Sequence, residues 1–268
     1  MVSWVMWMDM GIAAATALFF PVVLLILWKR KNRGIRVAPF FVGAAVFIVF
    51  ALLLEQVCHH FFLIRVSPLS VFINGHAWAF VLYGALAAGI FEETGRFLAF
   101  KIVLRKNMEK ENAITYGIGH GGVESMLVVG VSMISSMLLV WSIQVIGGVE
   151  NYVALVPKET QNILRENLNT LLMTPPYVFL LAGVERMSTL IFHIALSVFV
   201  FFAANRKGKW VLYPLAVLDH AFLDVFAVMY QKGVMKNLAV MEIIIIMVTA
   251  VTVYFAYRIY QGEEGLSG

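Results

Sequence analysis

The chain has 268 residues, of which 61% are apolar and only 13% are charged, with a formal net charge of +4. Soluble domains typically carry about 25% charged residues, so this composition excludes a water-soluble globular fold and requires a lipid bilayer as the surrounding solvent. The positive charge does not indicate nucleic-acid binding, because the Lys and Arg residues occur in short clusters between apolar runs.

Apolar runs in chain order predict seven membrane-spanning helices, or eight. The first run precedes its basic residues, the reverse of a cleavable signal peptide, so we expect it to be retained as a span. Pro39 and the pair Pro175 and Pro176 mark the starts of the second and fifth helices. The predicted helices cover approximately 8–28, 39–64, 76–104, 113–145, 176–204, 210–230 and 237–260. We therefore expect an all-α transmembrane bundle that forms a single integral membrane domain over residues 1–268.

Basic residues divide the predicted loops into two sets that alternate along the chain. Clusters of cations lie at residues 29–36, 105–110 and 206–209, and Arg258 follows the last span. The other loops contain only Arg65, then Lys158 and Arg165, then Lys232 and Lys236. Seven spans place every basic-rich loop on one side, which the positive-inside rule assigns to the cytoplasm. We expect a multi-pass cell-membrane protein with its N-terminus outside and its C-terminus cytoplasmic.

The longest predicted loop, about residues 146–174, falls on the external side. Leu164, Leu168, Leu171 and Leu172 recur at helical spacing among polar residues, which predicts a short amphipathic helix on the membrane surface. The pattern leaves open whether this helix covers a site or only connects two spans.

Ionisable residues occur inside four of the predicted spans, where charge is costly. An ionised group at the bilayer centre costs at least about 2.5–3.5 kcal/mol, so these groups must face each other or a water-filled cavity. The third span contains FEETGR, the fourth GIGHGGVES, the fifth GVERMSTLIFHIALS and the sixth LDHAFLD. We expect structural or local pairing for Glu185, Arg186 and Asp219, and no catalytic role for Glu55, His59 and His60.

The spacing of these residues predicts that they converge. Positions four apart share one helix face, as do Glu92 and Arg96, His120 and Glu124, and His220 and Asp224. Glycines around His120 allow a neighbouring backbone to approach closely. The sequence thus predicts a polar intramembrane cavity suited to amide hydrolysis, where a carboxylate takes a proton from water and histidines stabilise an oxyanion or bind a metal. In this interpretation Arg96 orients Glu92.

The order EETGR, HGGVE, a lone FH and HAFLD on successive helices resembles the YhfC family. That family is grouped with the CAAX-protease and bacteriocin-processing (CPBP) and PrsW-type membrane proteases. The resemblance covers about residues 76–226, the expected catalytic core, and implies an intramembrane protease. Arg96 follows the second glutamate by three positions rather than four, and Glu124 stands where His is more usual. Both features are closer to PrsW-type members than to CAAX proteases.

The resemblance also implies roles for the individual residues. Glu92 would activate the attacking water with Glu93 as its partner, and Glu124 would assist. His193 and His220, with Asp224 orienting His220, would form the oxyanion or metal side. Arg96 and His120 would support the site.

The metal content stays open at this point. A divalent metal such as zinc could be held by His193 and His220 together with a carboxylate, that of Glu124, Glu92 or Glu93. A metal-free, glutamate-activated water is equally consistent, since no HExxH motif is present.

The sequence leaves two other functions open. A proton- or cation-coupled transporter would also use carboxylate–histidine chains, although no second copy of EETGR or HGGVE indicates inverted repeats. A membrane adaptor would bind a peptide in the same cavity without cutting it. The expected partners are the bilayer and a membrane peptide or protein substrate, not nucleic acid.

Overall fold

The computed structural model describes residues 3–262, and no strand occurs in this range. The helices in chain order are α1 (Trp4–Lys31), α2 (Ala38–Ile64), α3 (Pro68–Gly75), α4 (Ala77–Val103), α5 (Glu111–Ile146), α6 (Val149–Val153), α7 (Lys158–Met173), α8 (Pro176–Asn205), α9 (Leu212–Gln231) and α10 (Leu238–Gly262). The predicted all-α polytopic architecture is confirmed, with helix ends displaced by a few residues. The first two residues and the C-terminus that we expect in the cytoplasm lie outside the described range.

The number of membrane spans agrees with the prediction. Six helices are long and apolar enough to cross a membrane, and a bent pair brings the number to seven. That pair is α3 and α4, whose axes differ by 105°. The apolar pattern does not predict α3, although its start signal is present, since the Ser67 hydroxyl accepts from the backbone N–H of Ser70 and Pro68 follows directly. The bend lies at His76, whose backbone is extended.

Burial separates one span from the others. In α8, 78% of the most apolar stretch is buried, whereas the other five spans bury only 22–28%. Large apolar side chains on those spans, such as Phe41, Leu53 and Leu138, are more than half exposed. Such side chains fit helices whose outer faces contact lipid tails.

The described chain divides into two compact units. Unit 1 contains residues 3–20 and Ser125–Met187, and unit 2 contains Pro21–Glu124 and residues 188–262. All the basic-rich loops and all the predicted site residues belong to unit 2.

Unit 1 contains the short helices α6 and α7. Helix α5 ends at Ile146 because Gly147 and Gly148 have φ values of 93° and 117°, in a region that favours glycine. Helix α7 is the predicted amphipathic helix, and its Leu168 is buried beside Ile143 and Val153. Its position on the membrane surface stays a prediction.

The basic-rich loops of unit 2 meet at one end, which we call the basic end. Nη2 of Arg206 donates to the Met108 carbonyl at 3.1 Å, and Nζ of Lys110 donates to the Tyr260 carbonyl at 3.1 Å. One cavity is lined by residues of the loop after α1 and of the loop before α5. These loops therefore lie on one side, while the side of the membrane that they face stays a prediction.

Candidate active site

Helix α4 carries the FEETGR segment, and two of its glycines allow close packing. At Gly89 a Cβ atom would lie 2.7 Å from the Val217 carbonyl oxygen of α9, and at Gly95 it would lie 2.6 Å from the Phe50 ring of α2. A side chain at either position would collide with its neighbour, so glycine brings α4 against both helices.

Helix α5 packs on α8 in the same way. At Gly117 a Cβ atom would lie 2.6 Å from Cα of Ile194, and at Gly121 it would lie 2.9 Å from Cβ of His193. The close approach predicted from the glycines around His120 is therefore confirmed. It places the GIGHGGVES segment beside His193.

A buried guanidinium joins α4 to two other helices. Nη1 of Arg96 donates to Oε2 of Glu93 at 3.0 Å, and Nη2 donates to Nδ1 of His193 at 3.0 Å. Oε1 of Glu93 in turn accepts from Nδ1 of His220 at 2.7 Å. Because Arg96 and Glu93 are inaccessible to solvent, this chain of contacts forms the floor of the site.

Glu92 lies where α4 meets α5 and α8. Its Oε2 contacts Nε2 of His120 at 2.8 Å and lies 3.9 Å from Nδ1 of His193. Nε2 of His193 is 2.5 Å from Oε2 of Glu124. The ring centroid of His193 lies 5.2 Å from the ring centroid of His120 and also 5.2 Å from that of His220. The predicted site residues thus form one continuous network across α4, α5, α8 and α9.

Two pairings within this network differ from the prediction. Arg96 pairs with Glu93, three residues earlier, whereas Glu92 pairs across to α5. Nδ1 of His220 donates to Oε1 of Glu93, a partner that was not predicted, while Nε2 of the same ring lies 3.5 Å from Oδ2 of Asp224, the predicted partner. Both corrections have the same cause: spacing within one helix does not specify which residue of a neighbouring helix competes for a side chain.

Solvent exposure falls from one edge of the network to its floor. The side chains of Asp224 and Glu124 are 23% and 14% exposed, and that of Glu92 is 9% exposed. The side chains of Glu93 and His120 are fully buried. Asp224 and Glu124 therefore form the rim of the site, with Glu92 between rim and floor.

The hydrogen-bond partners assign the tautomers of two histidines. A guanidinium can only donate, so Nδ1 of His193 accepts from Arg96 and the ring proton lies on Nε2, facing Glu124. A carboxylate can only accept, so Nδ1 of His220 carries a proton toward Glu93. Nε2 of His220 is then directed to the side of Asp224.

Three side chains are close enough together to hold one metal ion. One ligand atom each from Glu92, His120 and His193 lie within 4.8 Å of one another. Three nitrogen and oxygen ligands are typical of catalytic zinc. Nδ1 of His120 is buried and has no hydrogen-bond partner within residues 3–262.

The charge balance of the network also fits a cation. Its four carboxylates, those of Glu92, Glu93, Glu124 and Asp224, face one guanidinium, that of Arg96. A divalent cation would offset much of this excess negative charge, which is unfavourable when buried. The residues present therefore fit a metal such as zinc once the Arg96 guanidinium releases Nδ1 of His193, because the lone pair of that nitrogen would have to bind the ion.

The candidate donor set differs from the one suggested by the sequence. His193 and Glu92 were both among the ligands that the sequence suggested, whereas His120 takes the place expected for His220. His120 was predicted only to support the site. Its contact with Glu92 depends on how α4 and α5 cross, which the sequence does not give.

Several other intramembrane polar residues lie outside the network. Nη2 of Arg186 donates to Oε1 of Glu185 within unit 1. Oδ2 of Asp219 accepts from the Thr252 hydroxyl at 2.7 Å. These are the structural and local pairings that the sequence predicted.

Tyr116 is a residue that the sequence analysis did not single out. Its buried ring stacks on His120, with centroids 5.9 Å apart and planes at 26°. It precedes His120 by four residues, so the shared helix face was a signal that could have identified it.

Comparison with known proteins agrees with the resemblance seen in the motifs. Residues 16–245 match the family model described as YhfC intramembrane metalloprotease, a range that contains the whole network. A protein of Bacillus subtilis (strain 168), "Uncharacterized membrane protein YhfC", is 35% identical over 256 residues, which cover 94% of this chain and 96% of that protein. No solved structure matches the chain.

Proposed function

Since the chain belongs to the YhfC family of intramembrane metalloproteases, we propose that it is an endopeptidase that hydrolyses a peptide bond of a membrane-embedded or membrane-associated substrate. The observation that carries this proposal is the position of Glu92, between His120 and His193 and next to the more open rim. A carboxylate in that position can reach both a water molecule and a substrate carbonyl held at the rim.

In the proposed reaction Glu92 accepts a proton from the water that attacks the scissile carbonyl. It then returns this proton to the leaving amine. Oε2 of Glu124, 2.5 Å from Nε2 of His193, would keep that imidazole oriented beside Glu92.

His220 is the proposed donor to the oxygen that gains negative charge. Glu93 accepts its Nδ1 proton, and this contact stabilises the protonated imidazole. Nε2–H of the protonated ring then points toward the rim, where it can stabilise an oxyanion.

Glu92, His120 and His193 would hold a divalent metal. Such an ion would supply Lewis-acid polarisation of the water and the carbonyl. If Glu92 serves as a ligand, another carboxylate would accept the proton of the attacking water. Glu124 is the candidate, because outside the donor set it is the carboxylate nearest to His193. Glu92→Gln should then lower the metal content, whereas with Glu92 as the base alone the metal content should be unchanged.

We also propose that the basic end faces the cytoplasm, with the N-terminus outside. The proposal rests on the contacts that gather the basic-rich loops at one end of unit 2.

The deciding experiment compares Glu92→Gln with Glu55→Gln in cleavage of a transmembrane peptide by reconstituted protein. Glu55 is a matched control, because its side chain is 10% exposed against 9% for that of Glu92 and also pairs with a histidine, His59, at 3.2 Å. We expect Glu92→Gln to slow cleavage by at least about 100-fold and Glu55→Gln to leave it nearly unchanged. Ion flux without cleavage by the wild-type protein would instead identify a transporter.

A further inference from the structure

A cavity at the basic end of unit 2 lies away from the candidate active site. Its volume is about 450 Å³, and it is lined by Phe202, Arg206, Lys207, Lys209, Phe255, Arg258, Ile259 and Gly262. Four of these side chains are cations, and no acidic side chain within residues 3–262 lines the cavity. Two neighbouring cavities at the same end include Glu111 in their linings, whereas the described lining of this one carries positive charge without a carboxylate.

The two arginines of the cavity are held in place by other contacts. The Arg206 guanidinium lies 5.5 Å and 5.8 Å from the rings of Phe201 and Phe202, in addition to its bond to the Met108 carbonyl. Nη1 of Arg258 donates to the Tyr254 hydroxyl at 3.2 Å. A guanidinium fixed in this way loses little side-chain freedom when it binds a phosphate oxygen.

The two lysines reach the same cavity because the loop between them turns sharply. Gly208, between Lys207 and Lys209, has a φ of 76°, which favours glycine. Both lysines are exposed and belong to the lining. The turn therefore adds two exposed lysines to the two arginines that other contacts hold.

The cavity lies between the ends of two candidate spans, the depth at which lipid headgroups are expected. Its walls are the ends of two spans, α8 at Asn205 and α10 at Gly262, and the indole of Trp210 nearby is 68% exposed. Exposed tryptophan at a helix end is typical of the membrane–water interface. Phe202, Phe255 and Ile259 form an apolar wall on which the first part of an acyl chain can lie.

We propose that this cavity binds the headgroup of an anionic phospholipid, with its phosphate among Arg206, Lys207, Lys209 and Arg258. Basic pockets between transmembrane helices are a known form of recognition for anionic lipids. The lipid would join the end of α8, the helix that carries His193, to the end of α10.

Native mass spectrometry of the full-length protein in detergent, titrated with phosphatidylglycerol, tests this proposal. The variant Lys207→Gln/Lys209→Gln/Arg258→Gln should bind the tightest phosphatidylglycerol at least about tenfold more weakly than the wild type, because each cation near the surface contributes to binding. The matched control is Lys29→Gln/Arg30→Gln/Arg33→Gln, which removes the same charge elsewhere at the basic end and should bind within about twofold of the wild type. Equal weakening in both variants would overturn the proposal in favour of diffuse attraction.

Two further arms keep the result interpretable. Lys207→Gln and Lys209→Gln made singly alter only exposed side chains, so each should fold and weaken binding by a smaller factor. Phosphatidylcholine should show no difference between wild type and triple variant. If inorganic phosphate stabilised the wild type against heat as much as phosphatidylglycerol does, the site would be one for free phosphate and the lipid assignment would be wrong.

Discussion

Nη2 of Arg96 donates to Nδ1 of His193 at 3.0 Å, and this bond ties α4 to α8 inside the candidate site. The same guanidinium holds Glu93, which in turn accepts from His220. One arginine therefore positions two histidines that stand on different helices. Such an arrangement is stable only while every partner is present, because a buried charge without a partner is costly.

Arg96→Gln should destabilise the protein by about 3–5 kcal/mol, since it leaves the buried Glu93 carboxylate without its counter-charge. Arg96→Lys should cost less, because the charge remains although the two-pronged contact is lost. Denaturation of each full-length variant in detergent measures these losses of stability as a change in the unfolding midpoint. Arg165→Gln is a suitable control, because Arg165 pairs with an exposed partner, Glu150, and its loss should change the midpoint little. Equal midpoints for Arg96→Gln and wild type would show that the bridge does not support the fold.

Gly89→Ala should separate α4 from α9 and weaken the contact between Glu93 and His220. A Cβ atom at position 89 would lie 2.7 Å from a backbone oxygen, and overpacking of this kind typically costs about 1–3 kcal/mol. Gly84→Ala on the same helix is the matched control, since its Cβ would meet only side-chain atoms of Val228 at 3.4 Å. We expect the stability and the cleavage rate to fall in Gly89→Ala and to stay unchanged in Gly84→Ala. Similar losses in both variants would contradict the proposed close packing.

Metal analysis can separate the two candidate donor sets. His120→Ala should lower the zinc content of purified protein, because His120 belongs to the group of donors within 4.8 Å. His220→Ala should retain the metal and lose activity, because its ring is held by Glu93 outside that group. Elemental analysis of both proteins provides the measurement. Loss of metal in His220→Ala with retention in His120→Ala would restore the donor set suggested by the sequence.

The orientation of the chain can be tested with single cysteines in a Cys58→Ala background. A cysteine at Gly34, at the basic end and in open space, should react with an impermeant maleimide only in inverted vesicles. A cysteine at the exposed Glu166 of α7 should react from outside intact cells. The opposite pattern would reverse the proposed topology.

The spans could be predicted from the sequence because apolar runs of sufficient length have few alternatives in a bilayer. The prediction of 39–64 and the observed helix Ala38–Ile64 differ by one residue. Helix α3 was not predicted, since eight residues between Pro68 and Gly75 are too few for a span and the bend at His76 depends on local backbone conformation.

The site could be predicted only in part. The cost of burying charge favours convergence of the polar residues, and every ionisable residue of the network lies in the four spans where this convergence was expected. The pairing of those residues depends on the rotation and crossing of neighbouring helices. Thus His120 rather than Arg96 pairs with Glu92, and Glu93 joins Asp224 as a partner of His220. Helical spacing alone does not contain this information.

The most direct test of the proposed chemistry is cleavage of a transmembrane peptide in water enriched in oxygen-18, followed by mass spectrometry of the products. If Glu92 activates the attacking water, the wild-type protein should release a substrate fragment whose new carboxyl terminus carries one atom of oxygen-18. The protein with Glu92→Gln should release at least about 100-fold less of that fragment in the same time. Labelled fragment formed at equal rates by both proteins would contradict the account, because hydrolysis would then proceed without the carboxylate on which the site is centred.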